Sequence, residues 1–134
     1  MIKCMKCNTI YDSVYISCQN CGYSLPVIDD IPVYAQELMT ENDYMPSGNY
    51  EKLESYENYY FWFQARKNLI LYLVEKYFKN IKSFCEAGCG GGFILSNIYK
   101  ANPELMCYGT EIHVNALKIA RKRLPQGLFF NLIS

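Results

Sequence analysis

Two pairs of cysteines open the chain. Two residues separate Cys4 from Cys7, two separate Cys18 from Cys21, and ten residues lie between the pairs. Two residues between thiols let one tight turn aim both sulfurs at a single point. Four thiolates at about 2.3 Å then make a closed tetrahedral site for zinc, with no open position for a catalytic water. Its role would be structural or for docking. Gly22, directly after Cys21, suits a turn that demands positive φ. A redox dithiol competes with this reading, but a thioredoxin-like site needs a CxxC in a strand–helix context, which is missing here. So short a hairpin would draw its folding free energy from the metal.

A second group of residues could bind a small ligand. Glu86-Ala87-Gly88-Cys89-Gly90-Gly91-Gly92 is an acid followed by a glycine-rich run. Glycine lets the backbone turn sharply and lets a ligand approach where a Cβ would clash. A helix start after the loop would present free N–H groups toward it. Further along lies Glu111, whose carboxylate can accept hydrogen bonds from ribose hydroxyls. A glycine loop with a distant acid fits a dinucleotide or S-adenosylmethionine. The dinucleotide pattern GxGxxG fails at Phe93, where its third glycine should stand. The pattern present is GxGxG at Gly88, Gly90 and Gly92. Glu86 would sit poorly beside a pyrophosphate and suits a ligand carrying positive charge, such as an α-amino group or a sulfonium.

These groups need elements to position them. Ser83–Glu86 reads as a strand, Gly88–Gly92 as a loop, and Phe93–Lys100 as a helix stopped by Asn102-Pro103. Leu105–Thr110 reads as a second strand, His113–Leu124 as a second helix, and Leu128–Asn131 as the start of a third strand. Strands alternating with helices predict a parallel sheet with crossover helices. The glycine loop then lies at the carboxyl end of the first strand, where open α/β sheets bind ligands. Upstream, Trp62, Leu69, Ile70, Leu73, Val74 and Tyr77 recur at helix spacing. Between ribbon and helix a polar, turn-rich stretch, broken clearly at Pro46-Ser47-Gly48-Asn49, reads as a linker. The expected organisation is a ribbon over 1–35, a linker over 36–55 and an α/β unit over 56–134.

Composition narrows the class. Half of the 134 residues are hydrophobic, which predicts a packed core. Thirteen basic residues balance thirteen acidic ones, so the chain lacks the basic excess that marks a nucleic-acid footprint. The start has no apolar run of signal-peptide length, and no stretch approaches the roughly 20 apolar residues of a membrane span. Together with the seven cysteines this points to the reducing cytoplasm rather than a secreted disulfide scaffold.

Glu86 to Gly92 resembles motif I of class I S-adenosylmethionine-dependent methyltransferases, and Thr110-Glu111-Ile112 resembles their acidic motif after the second strand. Tyr60-Phe61-Trp62-Phe63-Gln64-Ala65-Arg66-Lys67 is similar to an aromatic-Arg element that precedes motif I in one group of these enzymes, with Tyr60 where histidine is common. The ribbon and the segment Tyr23 to Val33 look like zinc ribbons that precede some bacterial methyltransferase domains. The resemblance implies an incomplete Rossmann-like methyltransferase sheet, first strands and helices only, behind a small Cys4 zinc ribbon. It implies that Gly88, Cys89, Gly90 and Gly92 form the cofactor loop and that Glu86 holds the amino group. Glu111 would take the ribose hydroxyls, Ile112 would pack on adenine, and Arg66 would pair with the cofactor carboxylate or simply pack in its helix.

The expected function is methyl transfer to an acceptor that could be a small metabolite, a glycan or lipid precursor, or RNA. Only about three strands of a seven-stranded sheet can be placed, so a truncated chain, or one completed by a partner chain, is expected. Such a half sheet would leave an open edge and an uncovered apolar face. The alternative is a zinc-ribbon interaction module with a non-catalytic methyltransferase half. His113 and Cys89 are not expected to be catalytic. Cys85 and Cys107 are expected to be buried, and Arg121-Lys122-Arg123 to be a solvated helix end.

Overall fold

The computed structural model describes residues 2–11, 17–35 and 47–132. Two short strands, β1 (Ile2–Lys3) and β2 (Ile10–Tyr11), pair antiparallel across the first cysteine knuckle. A second hairpin joins β3 (Val27–Ile28) to β4 (Ile31–Pro32). Its two-residue turn is Asp29-Asp30, with φ of 49° and 62°. Positive φ at both turn residues matches the right-handed twist of the flanking strands, and aspartate is among the few residues that tolerate it.

Two helices follow, α1 (Ser47–Glu57) and α2 (Phe61–Tyr77). Residues 36–46 of the expected linker lie outside the described residues, while its remainder falls within α1. Glu57, near the end of α1, is buried. It explains why this polar stretch is held as a helix: Arg123 Nη2 lies 2.5 Å from its carboxylate, and Arg123 Nε lies 3.2 Å from Glu54. The expected solvated helix end is thereby corrected. Arg123 is mostly buried and anchors α1, and Arg121 donates to the carbonyl of Asp30 in the β3–β4 turn at 3.3 Å.

The α/β unit runs β5 (Ser83–Ala87), α3 (Phe93–Ala101), β6 (Met106–Glu111), α4 (Val114–Arg123) and β7 (Leu128–Asn131). The three strands form a parallel sheet in the order β5-β6-β7, the arrangement of a partial Rossmann-like fold. Both crossover helices pack against the sheet face that carries Cys107, Gly109 and Phe129, and they touch each other. Leu95, Leu117 and Phe129 are completely enclosed there. Burying each such side chain contributes about 1.5–3 kcal/mol.

The opposite face of the sheet is open among the described residues. Ser83, Cys85 and Ala87 of β5 are exposed, as are Met106 and Leu128 in register beside them. Cys85 therefore departs from expectation, since successive strand residues point to opposite faces. Phe84 and Cys107, register partners, face the helices, and Cys107 is buried as expected. Helix α2 packs on α3 through Ile70, Leu71 and Val74, with Phe63 edge-on to Phe93. Trp62, Leu69 and Tyr77, assigned to the same stripe from their spacing, are exposed instead.

The ribbon's tail belongs to this core. Ile31 and Val33 are buried within it, and Val33 makes a parallel bridge to Asn131 at the outer edge of β7. No helix among the described residues is long and apolar enough to cross a membrane.

Candidate functional site

The four N-terminal cysteines converge. Their sulfurs all lie within 4.8 Å of one another, with Cys4 Sγ 3.7 Å from Cys21 Sγ and Cys7 Sγ 3.5 Å from Cys18 Sγ. Metal–sulfur bonds of about 2.3 Å in a tetrahedron imply sulfur–sulfur edges of about 3.8 Å. The quartet thus has the donor set and spacing for one zinc ion. The two knuckles are built alike. Asn8 N–H donates to the carbonyl of Cys4, and Gly22 N–H donates to that of Cys18. Asn8 has φ 61° and Gly22 φ 69°. The sequence pointed to Gly22 but not to Asn8, which fills the same turn position because asparagine tolerates the left-handed region. The Cys7 thiol is lowered to about 5 by its contacts with the Thr9 hydroxyl and backbone, and by the Asn20 amide. Cys21, in the same cluster, is pushed the other way, up to about 12, so the four-sulfur donor set rather than thiol acidity is what suits a cation here.

The second site lies where β5 and β6 end side by side. Cys89 N–H donates to the carbonyl of Thr110 at 2.9 Å, stitching the glycine loop to β6. Gly88, Gly90 and Gly92 have φ of 66°, 52° and 72°, all in the left-handed region. Their surroundings divide them. A Cβ at Gly88 or Gly90 would meet nothing within 4 Å, so both present bare backbone to open space. A Cβ at Gly92 would lie 2.8 Å from the Cβ of Ala120, so this glycine lets α3 and α4 pack closely. The Cys89 side chain turns inward, where it packs against Gly109. Burial first, then the charges of Glu86 and Glu111, push its thiol up to about 12, which removes it as a nucleophile.

Glu86 faces the helices from β5, and its Oε2 is buried without a hydrogen-bond partner. Burial raises its carboxyl to about 7, against the opposing pull of the Arg66 charge and the Leu95 N–H. Arg66, half-exposed on α2, reaches within 3.9 Å of Glu86 Oε1. A buried carboxylate oxygen lacking a partner is costly, and a cation is its natural complement. Arg66 thus faces the glycine-loop acid as well as packing in its helix.

Glu111 ends β6 with its carboxylate turned back to the loop. Oε2 accepts from Gly90 N–H at 3.0 Å, and Oε1 accepts from Ile112 N–H at 2.8 Å and His113 N–H at 3.1 Å. Three acceptances leave lone-pair capacity for a further donor. Ile112, half-buried, follows on the loop into α4, whose first carbonyl-accepting residue is His113. The structure also reveals Asn131, which the sequence reading took only for a strand residue. It is fully buried, and its side-chain amide donates to the carbonyls of Glu111 and Ile112. The only sequence signal was an asparagine closing an otherwise apolar strand.

Geometrically, then, the chain joins a four-sulfur cluster that could hold a metal ion to a glycine loop flanked by two carboxylates. No family model and no curated protein matches the chain. Among solved structures it is similar to DesVI of Streptomyces venezuelae, with a TM-score of 0.50 and 23% identity. The match covers 66% of this chain and 36% of DesVI, so the chain spans about a third of that protein's length. At this identity the likeness is one of fold, and it agrees with the partial Rossmann-like sheet.

Proposed function

We propose that the chain binds S-adenosylmethionine as the cofactor portion of a class I methyltransferase, with zinc held by Cys4, Cys7, Cys18 and Cys21. The observation that carries the reading is the buried, unpartnered Oε2 of Glu86 beside the bare backbone of Gly88 and Gly90. A pyrophosphate would be repelled there, whereas an α-amino group would be drawn in. The fold likeness to DesVI supports the same reading at the level of architecture.

In this proposal Glu86 holds the amino group and Arg66 the carboxylate of the methionine end, as guanidinium geometry permits. Gly88 and Gly90 let the backbone approach the ligand, with Gly92 and Cys89 supporting the loop from behind. Glu111 accepts from the ribose hydroxyls, and Ile112 packs on adenine. When bound, the cofactor would supply a sulfonium methyl open to in-line displacement by an oxygen, nitrogen or carbon nucleophile. The chain's contribution to that step is orientation. The reading places the protein in the cytoplasm, with a small metabolite, a glycan or lipid precursor, or RNA as acceptor, and with further polypeptide covering the open sheet face.

Calorimetric titration of the zinc-loaded chain with S-adenosylmethionine, S-adenosylhomocysteine and NAD tests this. Saturable binding of the first two, lost in Gly90→Arg and weakened in Glu111→Ala, is expected. Preference for NAD would move the chain to the dinucleotide binders. A folded chain that binds none of the three would sink the cofactor reading and leave the ribbon as its working part.

A further inference from the structure

Asn131 is the point at which three segments meet. Its Nδ2 donates to the carbonyl of Glu111 at 3.3 Å and also to that of Ile112. Its Oδ1 accepts from Ala35 N–H at 3.1 Å, and its main-chain carbonyl accepts from Tyr34 N–H at 2.8 Å. Leu132 N–H adds a bond of 3.3 Å to the carbonyl of Glu111. The side chain is 0% exposed. A buried primary amide is tolerated only when its donors and acceptor are matched, and here the two carbonyls and the amide N–H match them. One face of this clip is the tail of the ribbon. The other is the backbone of Glu111, whose carboxylate reaches forward to Gly90.

We infer that Asn131 is a positioning residue: through it the ribbon's tail, Tyr34 and Ala35, sets the backbone of Glu111 and Ile112 and thereby aims the Glu111 carboxylate at the glycine loop. The inference rests on the cofactor reading above for its consequence, though not for its geometry. The tail is fixed on its other side by Val33 N–H, which donates to the carbonyl of Pro26 at 2.8 Å, and by the burial of Ile31 and Val33. The ribbon is therefore a structural support of the second site and not an appendage to it. A leucine would fill the Asn131 volume yet strand the Ala35 N–H and the Ile112 carbonyl and leave the Glu111 carbonyl with Leu132 N–H alone, which is why an apolar residue does not serve at this strand end.

The test compares Asn131→Leu and Asn131→Asp with the unaltered chain by residue-resolved amide exchange, in the zinc-loaded protein without nucleoside. Loss of the clip should speed exchange at Ala35, Gly90, Ile112 and His113 by about tenfold or more, while amides in the middle of α3 keep their protection. Unchanged exchange at Gly90 would overturn the inference. If neither variant folds, the unaltered chain decides: Ala35, Ile112 and Gly90 should open with one shared free energy, and independent opening would count against the clip. Binding of S-adenosylhomocysteine then separates the two readings. Asn131→Leu should weaken it by about tenfold, and should have no further effect in a Glu111→Ala background. Equal weakening in both backgrounds would refute positioning through Glu111. Altered exchange in a chain that binds no nucleoside at all would retire the cofactor reading and leave the positioning intact.

Discussion

The ribbon and the parallel sheet are held together by opposite means. In the ribbon the cysteines are the core: Cys4 and Cys18 are buried, while Met5 and Ile10 stand 54% and 64% exposed. Without a metal, little besides turn hydrogen bonds among the described residues opposes the chain's entropy there. The sheet instead encloses Leu95, Ile98, Leu117 and Phe129 and is held by their apolar burial. The contrast extends to the sites. The ribbon's four cysteines sit in two local turns of the same design, so their spacing along the chain nearly suffices to place them. The glycine loop is local too, and Glu86 leads straight into it, but Glu111 meets it only because β5 and β6 align in register, and Asn131 reaches Glu111 only because β7 aligns with β6.

If the cysteine quartet holds zinc as proposed, stripping the metal should break this contrast open most widely. Structural zinc supplies about 10–16 kcal/mol in small zinc modules. A chelator should therefore abolish amide protection across residues 2–11 and 17–25 while α3 and α4 remain helical by circular dichroism. Loss of the sheet in the same transition would mean that Ile31 and Val33 make the two regions a single cooperative unit. Next in size is a substitution confined to the sheet. Gly92→Val combines a φ of 72° with a Cβ 2.8 Å from Ala120. It should cost roughly 3 kcal/mol by urea unfolding, from strain and overpacking together. Gly88→Ala meets no neighbour, and its strain alone should cost about 1–2 kcal/mol.

A smaller effect should appear in pH dependence. The Glu86 carboxyl is raised to about 7, so below that pH it carries a proton that a cationic ligand must expel. Affinity for S-adenosylhomocysteine should be level just above pH 7 and fall by up to about tenfold per unit below it. Glu86→Gln should flatten the profile, and adenosine, which lacks the amino group, should show none of it. The weakest perturbation lies where the two regions touch. Lys118 Nζ is 2.6 Å from the Asp29 carboxylate, but both side chains are well solvated. Lys118→Ala should lower stability by about 0.5 kcal/mol, and by less in high salt.

Much of the fold was legible in the chain itself. The expected strand and helix order after residue 80 matches β5 through β7 to within a residue or two at each end, because glycine, proline and hydrophobic period act locally. The reading failed where distant partners decide. Residues 47–55 look like a linker by their polarity, yet α1 is recruited by Arg123, some 70 positions away, through Glu54 and Glu57. The stripe on α2 is longer than the surface it covers, so Trp62 and Tyr77 remain exposed while Leu71, outside the expected set, packs inward. Cys85 looked like core because it lies in a strand, but its face of the sheet is uncovered.

Sequence alone determined the two cysteine knuckles, the glycine loop and the alternation of strand and helix. Each depends on neighbours a few residues apart, whose turn geometry and period are set by the backbone itself. Only the tertiary structure decided that Gly88 and Gly90 face open space while Gly92 faces Ala120, and that Glu111 reaches back to Gly90. It alone brought Asn131 between the ribbon's tail and the end of β6. Those relations are fixed by sheet register and by which face each crossover helix covers. They join residues 20 to nearly 100 positions apart, a separation at which spacing along the chain carries no information about contact.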